Sequence, residues 1–544
     1  PIYGVIRGVG LSNDGRGRGF LVPSQSGQVR ALREAYRLAD IDPSQISLLE
    51  CHATGTPIGD ATELAGLSEV FAPGAEQLPL GSLKGNLGHL ITAAGVAGLL
   101  KLTEALRTET LPPNRSVAEP LSDLGPDSRF RLLQRAEPWR VPAHVSDGLR
   151  RAGLSAFGFG GNNAHLVLEE YRRSSPQSAV PQSLPAPEAT SIAIVGIGIT
   201  AAKASGRQAV LEALTSATPQ LSDVDGALQG LANAIPVDIR AAGHPPSDLK
   251  QTLAQQLLLE QTAREALAQV AELPRERCGV FVGMGTDPEV SRYGARWRLG
   301  TQRTSAGATP PAAWLKDARQ ALIGELTSAG VLGTMPNLPA NRLNRAFDLG
   351  GRSASVCAEE LSGLEALDIA ARSLADGHLD AALVGAVDLS CEPVHCAAAQ
   401  VLFAGSRQIP GDAAVTLVLK RLSDAQLAGD RIYAVFNAAD ASTAGTEFGP
   451  DATHSLTPLF GHSHAASGLL HFGAAALCLS AGVQPGGKPW LSDRSAEVTI
   501  SSFSGSRWQG TLQAYAPPQP ASADQGVRNS APHSELRLHV FRAE

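Results

Sequence analysis

The sequence predicts an α/β layered fold in two bodies, on three observations. Short apolar strands alternate with Ala/Leu-rich helical stretches, a Pro/Ser/Ala-rich segment divides the chain, and a pattern from the first body returns at the end of the second. The strands are runs such as LSAFGFG, HLVLEE, AALVGAVD and AVTLVLK; GQVRALREAYRLA and ELSGLEALDIAARSLADG are the helices. IAIVGIG is apolar at consecutive positions, which suits a strand buried on both faces.

At 544 residues, 43% hydrophobic and 18% charged, the chain can bury more than one core. The first body is expected over 1–172, a solvated linker over 173–190 and a second body over 191–514. Residues 515–544 read as a second linker running into the start of a further module, with ELRLHVFRAE alternating like a strand. The chain begins with Pro1 inside strand-like IYGVIRGVG, so it is expected to be a piece of something longer.

A net charge of -7 and a pI near 6.0 give no broad basic field for nucleic acid or an anionic membrane. An acidic carrier protein needs only a local basic patch. Six scattered cysteines lack zinc-type or dense disulfide spacing and suit a reducing, cytoplasmic compartment. The apolar stretches are short and interrupted, so no membrane span is expected.

The internal repeat pairs Ile2-Tyr3-Gly4-Val5 with Ile432-Tyr433-Ala434-Val435, and GNLGHLITAAGVAGLL with LFGHSHAASGLL. His89 follows Ile2 by 87 positions, whereas His462 follows Ile432 by 30. About 57 residues are therefore missing from the second copy, and the loop HATGT is among them.

In LLECHATGTPIGDATE, Cys51 and His52 are neighbours in a strand, so their side chains point to opposite faces. Cys51 reads as a small buried residue. His52 sits where the strand opens into a Thr/Gly loop, a position that suits catalysis as well as capping or packing. In KGNLGHLITAAG, His89 precedes an Ala/Gly/Leu helix, where the macrodipole disfavours imidazolium and keeps a neutral donor for developing negative charge. Lys84 lies just before it. Two histidines on converging loops beside a lysine suit oxyanion stabilisation better than proton shuttling. In GLSAFGFGGNNAHLVLEE, Gly158, Gly160 and Gly161 permit positive φ, and Phe157 and Phe159 are candidate pocket walls; a tight hairpin beside a core strand reads equally well.

ECHATGT, KGNLGH and SAFGFGGNNAHLVLEE, in that order and spacing, resemble the C-terminal half of the β-ketoacyl synthases of polyketide and fatty-acid multienzymes. The resemblance covers residues 1 to about 172. It implies a thiolase-like layered fold of two similar α/β halves, with His52 and His89 as the catalytic histidines and Lys84 as the active-site lysine. Phe159 falls on the gating phenylalanine, and Thr54, Thr56, Phe157 and Gly160 complete the substrate-binding set. The family's nucleophilic cysteine belongs to an N-terminal half that is not found before Pro1.

The second body begins with SIAIVGIG and carries NRLNRAFDLGGRSASVCAEELSGLEALDIA, which resembles the family's nucleophile elbow without a gap. In that register Glu360 takes the cysteine position, Glu359 the preceding alanine and Cys357 the aspartate. Glutamate offers no thiol to accept an acyl group, and Cys357 stands three residues early. His462 keeps the second histidine, Thr457 replaces the lysine, and SSFSGSRWQGTLQ replaces GFGGNNAH. This body is similar to the chain-length-factor domains of polyunsaturated-fatty-acid-type synthases, so the whole reads as a C-terminal half-domain followed by a degenerate ketosynthase-like domain.

The resemblance implies a decarboxylative condensation of malonyl-carrier with an acyl thioester. The acyl carrier protein brings the phosphopantetheine; no bound cofactor and no metal are called for. A second ketosynthase is the implied dimer partner. The alternative is a non-catalytic scaffold that shapes the acyl tunnel of an intact ketosynthase. A dinucleotide fingerprint at Gly196-x-Gly198-x-x-Ala201 is discounted, because SGRQAVLEALTSATPQLSDVD supplies no second strand with an acidic end.

Overall fold

The apolar runs of the first body become a six-stranded mixed sheet. Its strands are β1 (Val5–Asn13), β2 (Leu48–Glu50), β3 (Leu78–Gly81), β4 (Phe130–Leu132), β5 (Arg151–Phe157) and β6 (Asn162–Glu169), in the order β1-β6-β5-β2-β3-β4. β1, β6 and β5 run antiparallel, while β5, β2, β3 and β4 are parallel. The computed structural model describes residues 1–516 apart from 18, 20–21, 72–76, 116, 118, 173–189, 236, 238–244, 300, 302–309, 438–444 and 491–493. The linker expected at 173–190, all but its last residue, and the strand expected in ELRLHVFRAE lie outside the described residues.

Three helices cover this sheet: α1 (Gln25–Ala39), α2 (Pro57–Val70) and α3 (Ala94–Thr108). Val29, Leu32, Ala35, Tyr36 and Ala39 recur at helical spacing in α1 and are all buried. Helix α3 buries Leu102, Ala105 and Leu106 but leaves Val96 62% and Leu100 63% exposed. Its N-terminal half thus presents bare apolar side chains.

The second body forms a larger sheet from β7 (Ser191–Ala201), β8 (Cys278–Met284), β9 (Ser353–Val356), β10 (Ala381–Leu389), β11 (Asp412–Arg421), β12 (Ala434–Asn437), β13 (Thr446–Phe448), β14 (Ser495–Ser501) and β15 (Arg507–Gln513). Their order is β9-β8-β10-β11-β7-β12-β15-β14-β13, with the short strand Ala204–Ser205 paired on β7. From Ile192 onward β7 is buried on both faces, as its unbroken apolar run requires. Helices α4 (Ala254–Leu267), α5 (Leu338–Phe347), α6 (Ser362–Ala375) and α7 (His464–Ala481) pack around the sheet.

Gly196 and Gly198 lie inside β7, where a Cβ on Gly198 would stand 1.8 Å from the Thr262 carbonyl of α4. These glycines let a helix backbone approach a strand, and the phosphate-binding turn of a dinucleotide site is absent there. Among the described residues α7 is the helix long and apolar enough to cross a membrane, but most of it is enclosed between α6 and the sheet.

The repeat is visible as topology. β12, β15, β14 and β13 stand in the same neighbour order as β1, β6, β5 and β2, and β13 pairs parallel with β14 as β2 does with β5. The second copy therefore keeps the strand that leads to the HATGT loop. Only residues 438–445 separate β12 from β13, too few for the fifteen-residue α1, and the short stretch 449–456 stands in place of α2 with β3. The turn of GFGGNNAH also survives as a hairpin: SSFSGS joins β14 to β15 as the Gly-rich turn joins β5 to β6.

The two bodies meet at the end of β1 and at that Gly-rich turn. Asn13 N–H donates to the Gly350 carbonyl at 3.0 Å and Asn341 Nδ2 to the Gly160 carbonyl at 2.7 Å. Ser353 Oγ donates to Asn162 Oδ1 at 2.7 Å.

Candidate functional site

Strand β2 ends at Glu50, so Cys51 and His52 lie just past it, and their side chains part as alternation demands. Cys51 is buried in the core under α1 and α2, and burial lifts its thiol well above the usual value. His52 is turned the other way by Glu63 of α2, whose carboxylate accepts the His52 and Ala53 N–H groups at 2.8 Å each. Burial pushes the Glu63 carboxyl up to about 7, against the pull of those two donors.

His52 Nδ1 accepts the Phe157 N–H at 3.3 Å, and His89 Nδ1 accepts the Ile91 N–H at 3.0 Å. In each neutral ring the proton is thereby left on Nε2, giving two N–H donors. The rings stand edge to face with centroids 5.6 Å apart at 81°. Burial first, then the neighbouring Lys84 and His89, lowers the His52 pKa to about 4. His52 is thus a neutral donor at physiological pH.

The Lys84 turn is fixed from behind. Glu50 accepts the Leu83 N–H at 2.6 Å and pairs with Lys101 of α3 at 2.6 Å. Asn114 ties the turn to β3, accepting the Ser82 N–H at 3.0 Å and donating to the Leu80 carbonyl at 2.7 Å. Burial lowers the Lys84 pKa, while Glu50 and Glu63 oppose it.

A cavity of about 470 Å³ opens beside the histidines, lined by His52, His89, Val96 and Phe157 with Arg352 and Ser353 of the second body. Lys84 and Thr54 instead line a separate cavity of about 660 Å³ with Cys51 and Glu63. Thr54 and Thr56 are exposed, their hydroxyls 3.3 Å apart. Phe157 packs on His52 with ring centroids 5.4 Å apart. Phe159 does not: it is 55% exposed, and its carbonyl accepts from Asn337 of the second body at 3.1 Å. Gly160 has φ 86, and a Cβ there would stand 2.5 Å from Asn341 Nδ2. The expected substrate-binding set is therefore divided between the histidine cavity, the lysine cavity and the seam between the bodies.

In the second body, β9 runs through the exposed Cys357 into a tight turn where Glu359 has φ 52, and Glu360 precedes α6. The Glu360 side chain is fully buried; Oε2 accepts the Phe503 N–H at 2.9 Å, and Oε1 lies 3.5 Å from His462 Nε2. Burial acts to raise this carboxyl, but His462, the Phe503 N–H and His464 outweigh it and leave it below the usual value. Thr457, in the place of Lys84, is buried. Arg407, 3.6 Å from Oε1, and Phe503 belong to this cluster although sequence reasoning does not single them out. The position of Phe503 in SSFSGS, matching Phe159 in the equivalent turn, is the available signal.

Residues 3–118 match the family described as "Beta-ketoacyl synthase, C-terminal domain", and residues 189–425 match "Beta-ketoacyl synthase, N-terminal domain". The chain is 29% identical over 487 residues to a polyunsaturated fatty acid synthase chain of Thraustochytrium sp., covering 80% of this chain and 23% of that one. It is 39% identical over 231 residues to a phenolphthiocerol/phthiocerol polyketide synthase chain of Mycobacterium tuberculosis, covering 41% of this chain and 15% of that one. It thus spans less than a quarter of the length of either relative. The solved structure titled "PfaC Keto synthase-Chain length factor" shares the fold, with a TM-score of 0.79 at 23% identity over 95% of this chain and 62% of that one.

Proposed function

Since the chain belongs to the β-ketoacyl synthase family, we propose that its first body is the malonyl-handling half of a condensing site and its second body a partner without a nucleophile, in the manner of a chain-length factor. The observation that supports this reading best is the pair His52 and His89, edge to face 5.6 Å apart, each with Nδ1 occupied by a backbone N–H.

Decarboxylation of a malonyl thioester breaks the bond to the carboxylate and leaves negative charge on the thioester oxygen as an enolate. Two Nε2–H donors stabilise that oxygen, as preorganised donors do in a site with little water. The depressed pKa of His52 keeps its ring in the donor form. Phe157 closes one wall, and Arg352 places a cation at the cavity from the second body. In the complete reaction the carbanion attacks an acyl thioester held on a cysteine. At the matching position this chain has Glu360, which is buried and hydrogen-bonded to Phe503.

The phosphopantetheine is carried by an acyl carrier protein and no cofactor is held by the chain itself. The bare Val96 and Leu100 of α3 mark where a second condensing half packs, because α7, the counterpart of α3, is covered by α6. A purely structural role for the second body also has support, since Asn341 and Ser353 brace the Gly-rich turn of the first.

The test is intact mass after incubation with an acyl-carrier. The chain is expected to stay unmodified; a stoichiometric acyl adduct on Cys357 would sink the reading.

A further inference from the structure

Glu360 leaves one oxygen unused. Its Oε2 is satisfied by Phe503, but Oε1 is fully buried without a hydrogen-bond partner, and so are His462 Nδ1 and Nε2 and His464 Nδ1. The His462 side chain is 1% exposed and that of His464 22%. Unpaired buried polar atoms are rare and costly, about 1–3 kcal/mol each. Here several of them face one another.

The distances fit a common ion. Glu360 Oε1 lies 3.5 Å from His462 Nε2 and 4.0 Å from His464 Nδ1, and one ligand atom from each residue falls within 4.8 Å of the others. Ligands around a tetrahedral zinc, at bond lengths near 2.0–2.2 Å, stand about 3.4 Å apart. One carboxylate with two imidazoles is a common donor set for zinc and related divalent ions.

We propose that Glu360, His462 and His464 bind one divalent transition-metal ion of the zinc type, which clamps the degenerate elbow before α6 to the start of α7. The site stands where the first body's counterpart could not build one. By the repeat register Ile91 takes the place of His464, with the same left-handed backbone, φ 50 against 30. The backbone turn therefore belongs to the fold, and the imidazole on it is particular to the second body.

Arg407 is the competitor. Its Nη1 is 3.6 Å from the same Glu360 oxygen, past hydrogen-bond range, while its Nη2 is engaged by Asp451 at 2.6 Å. A carboxylate that relied on Arg407 for compensation would draw it closer. A metal ion compensates the carboxylate and both unpaired imidazoles at once.

The test uses the full chain, stripped with chelator and dialysed. Co2+ titration followed by visible absorption, and Zn2+ by elemental analysis, should each give one equivalent. The cobalt spectrum should lack the thiolate charge-transfer band that a cysteine site would produce. His464→Ala, the least buried of the three ligands, and Glu360→Gln should each weaken Zn2+ binding at least tenfold. Zn2+ should raise the melting temperature of the parent chain and not that of a folded His464→Ala chain. No uptake by the parent chain, or the parent's affinity retained in both variants, would overturn the inference and leave Glu360 in a charge cluster with Arg407 and His462.

Discussion

The backbone N–H of Phe503 donates to Glu360 at 2.9 Å, so the residue at the elbow position is bonded to the turn that faces it. Ser504 N–H holds Glu359 in the same way at 2.8 Å. The two glutamates thus fasten the elbow to the β14–β15 hairpin, where a reactive thiol would need an open approach.

Removing that carboxylate should destabilise the second body. Glu360→Ala leaves the Phe503 N–H without its acceptor in a buried site, a loss of about 1–3 kcal/mol, the cost of an unsatisfied buried donor. Glu360→Gln keeps an acceptor for Phe503 and should lose less than half as much. Urea midpoints of the two variants decide the order.

His52 should stay neutral well into acid. Its folded pKa of about 4 lies below the ordinary 6.5, so between those values the unfolded chain binds the proton more readily. The contribution of His52 to stability is complete above pH 6.5 and is lost as pH falls towards 4. Ring nitrogen shifts in long-range 1H–15N spectra should show a neutral imidazole at about pH 5.5, with the proton on Nε2. An imidazolium at that pH would contradict the burial that places it beside Lys84.

Gly160→Ala should loosen the seam between the bodies. The residue sits at φ 86, and the new Cβ would stand 2.5 Å from Asn341 Nδ2. The backbone strain alone is worth about 1–3 kcal/mol. Pairing it with Asn341→Ala removes the contact with the amide but leaves the Cβ of residue 341 2.9 Å from the new Cβ, and the strain with it, so the double variant should recover only part of the denaturation midpoint.

Lys101→Met tests what holds the Lys84 turn. Glu50 is almost fully buried, and Lys101 is its ion-pair partner at 2.6 Å. Leaving that carboxylate uncompensated should cost about 3–5 kcal/mol. Thermal melts should fall accordingly, with Glu50→Gln/Lys101→Met recovering stability relative to Lys101→Met alone.

The layered α/β architecture, the repeat and the convergence of His52 with His89 are legible in the sequence, because each rests on local patterning: apolar strands, a recurrent Gly-His before a helix, and a strand opening into a Thr/Gly loop. The glycines of IAIVGIG stand apart from a dinucleotide site, since their small size serves the approach of α4. Less legible are the features that depend on distant partners. The turn places Phe159 at the seam because Asn337 and Asn341, some 180 residues on, bind its backbone. Spacing alone counts the HATGT loop among the missing residues of the second copy and does not reveal the strand before it, which remains as β13: TEF bears no sequence likeness to LLE but makes the same parallel pairing. Arg407 reaches Glu360 from a turn far away in the sequence, and no periodicity marks it.

The central claim is that His52 and His89 stabilise the enolate formed from a malonyl thioester. The most direct measurement is conversion of 13C-labelled malonyl-carrier to acetyl-carrier and CO2 by the full chain, since that half-reaction needs no cysteine. The expected result is slow decarboxylation that falls at least tenfold in both His52→Ala and His89→Ala while each variant remains folded. Decarboxylation at the parent rate in both variants would contradict it.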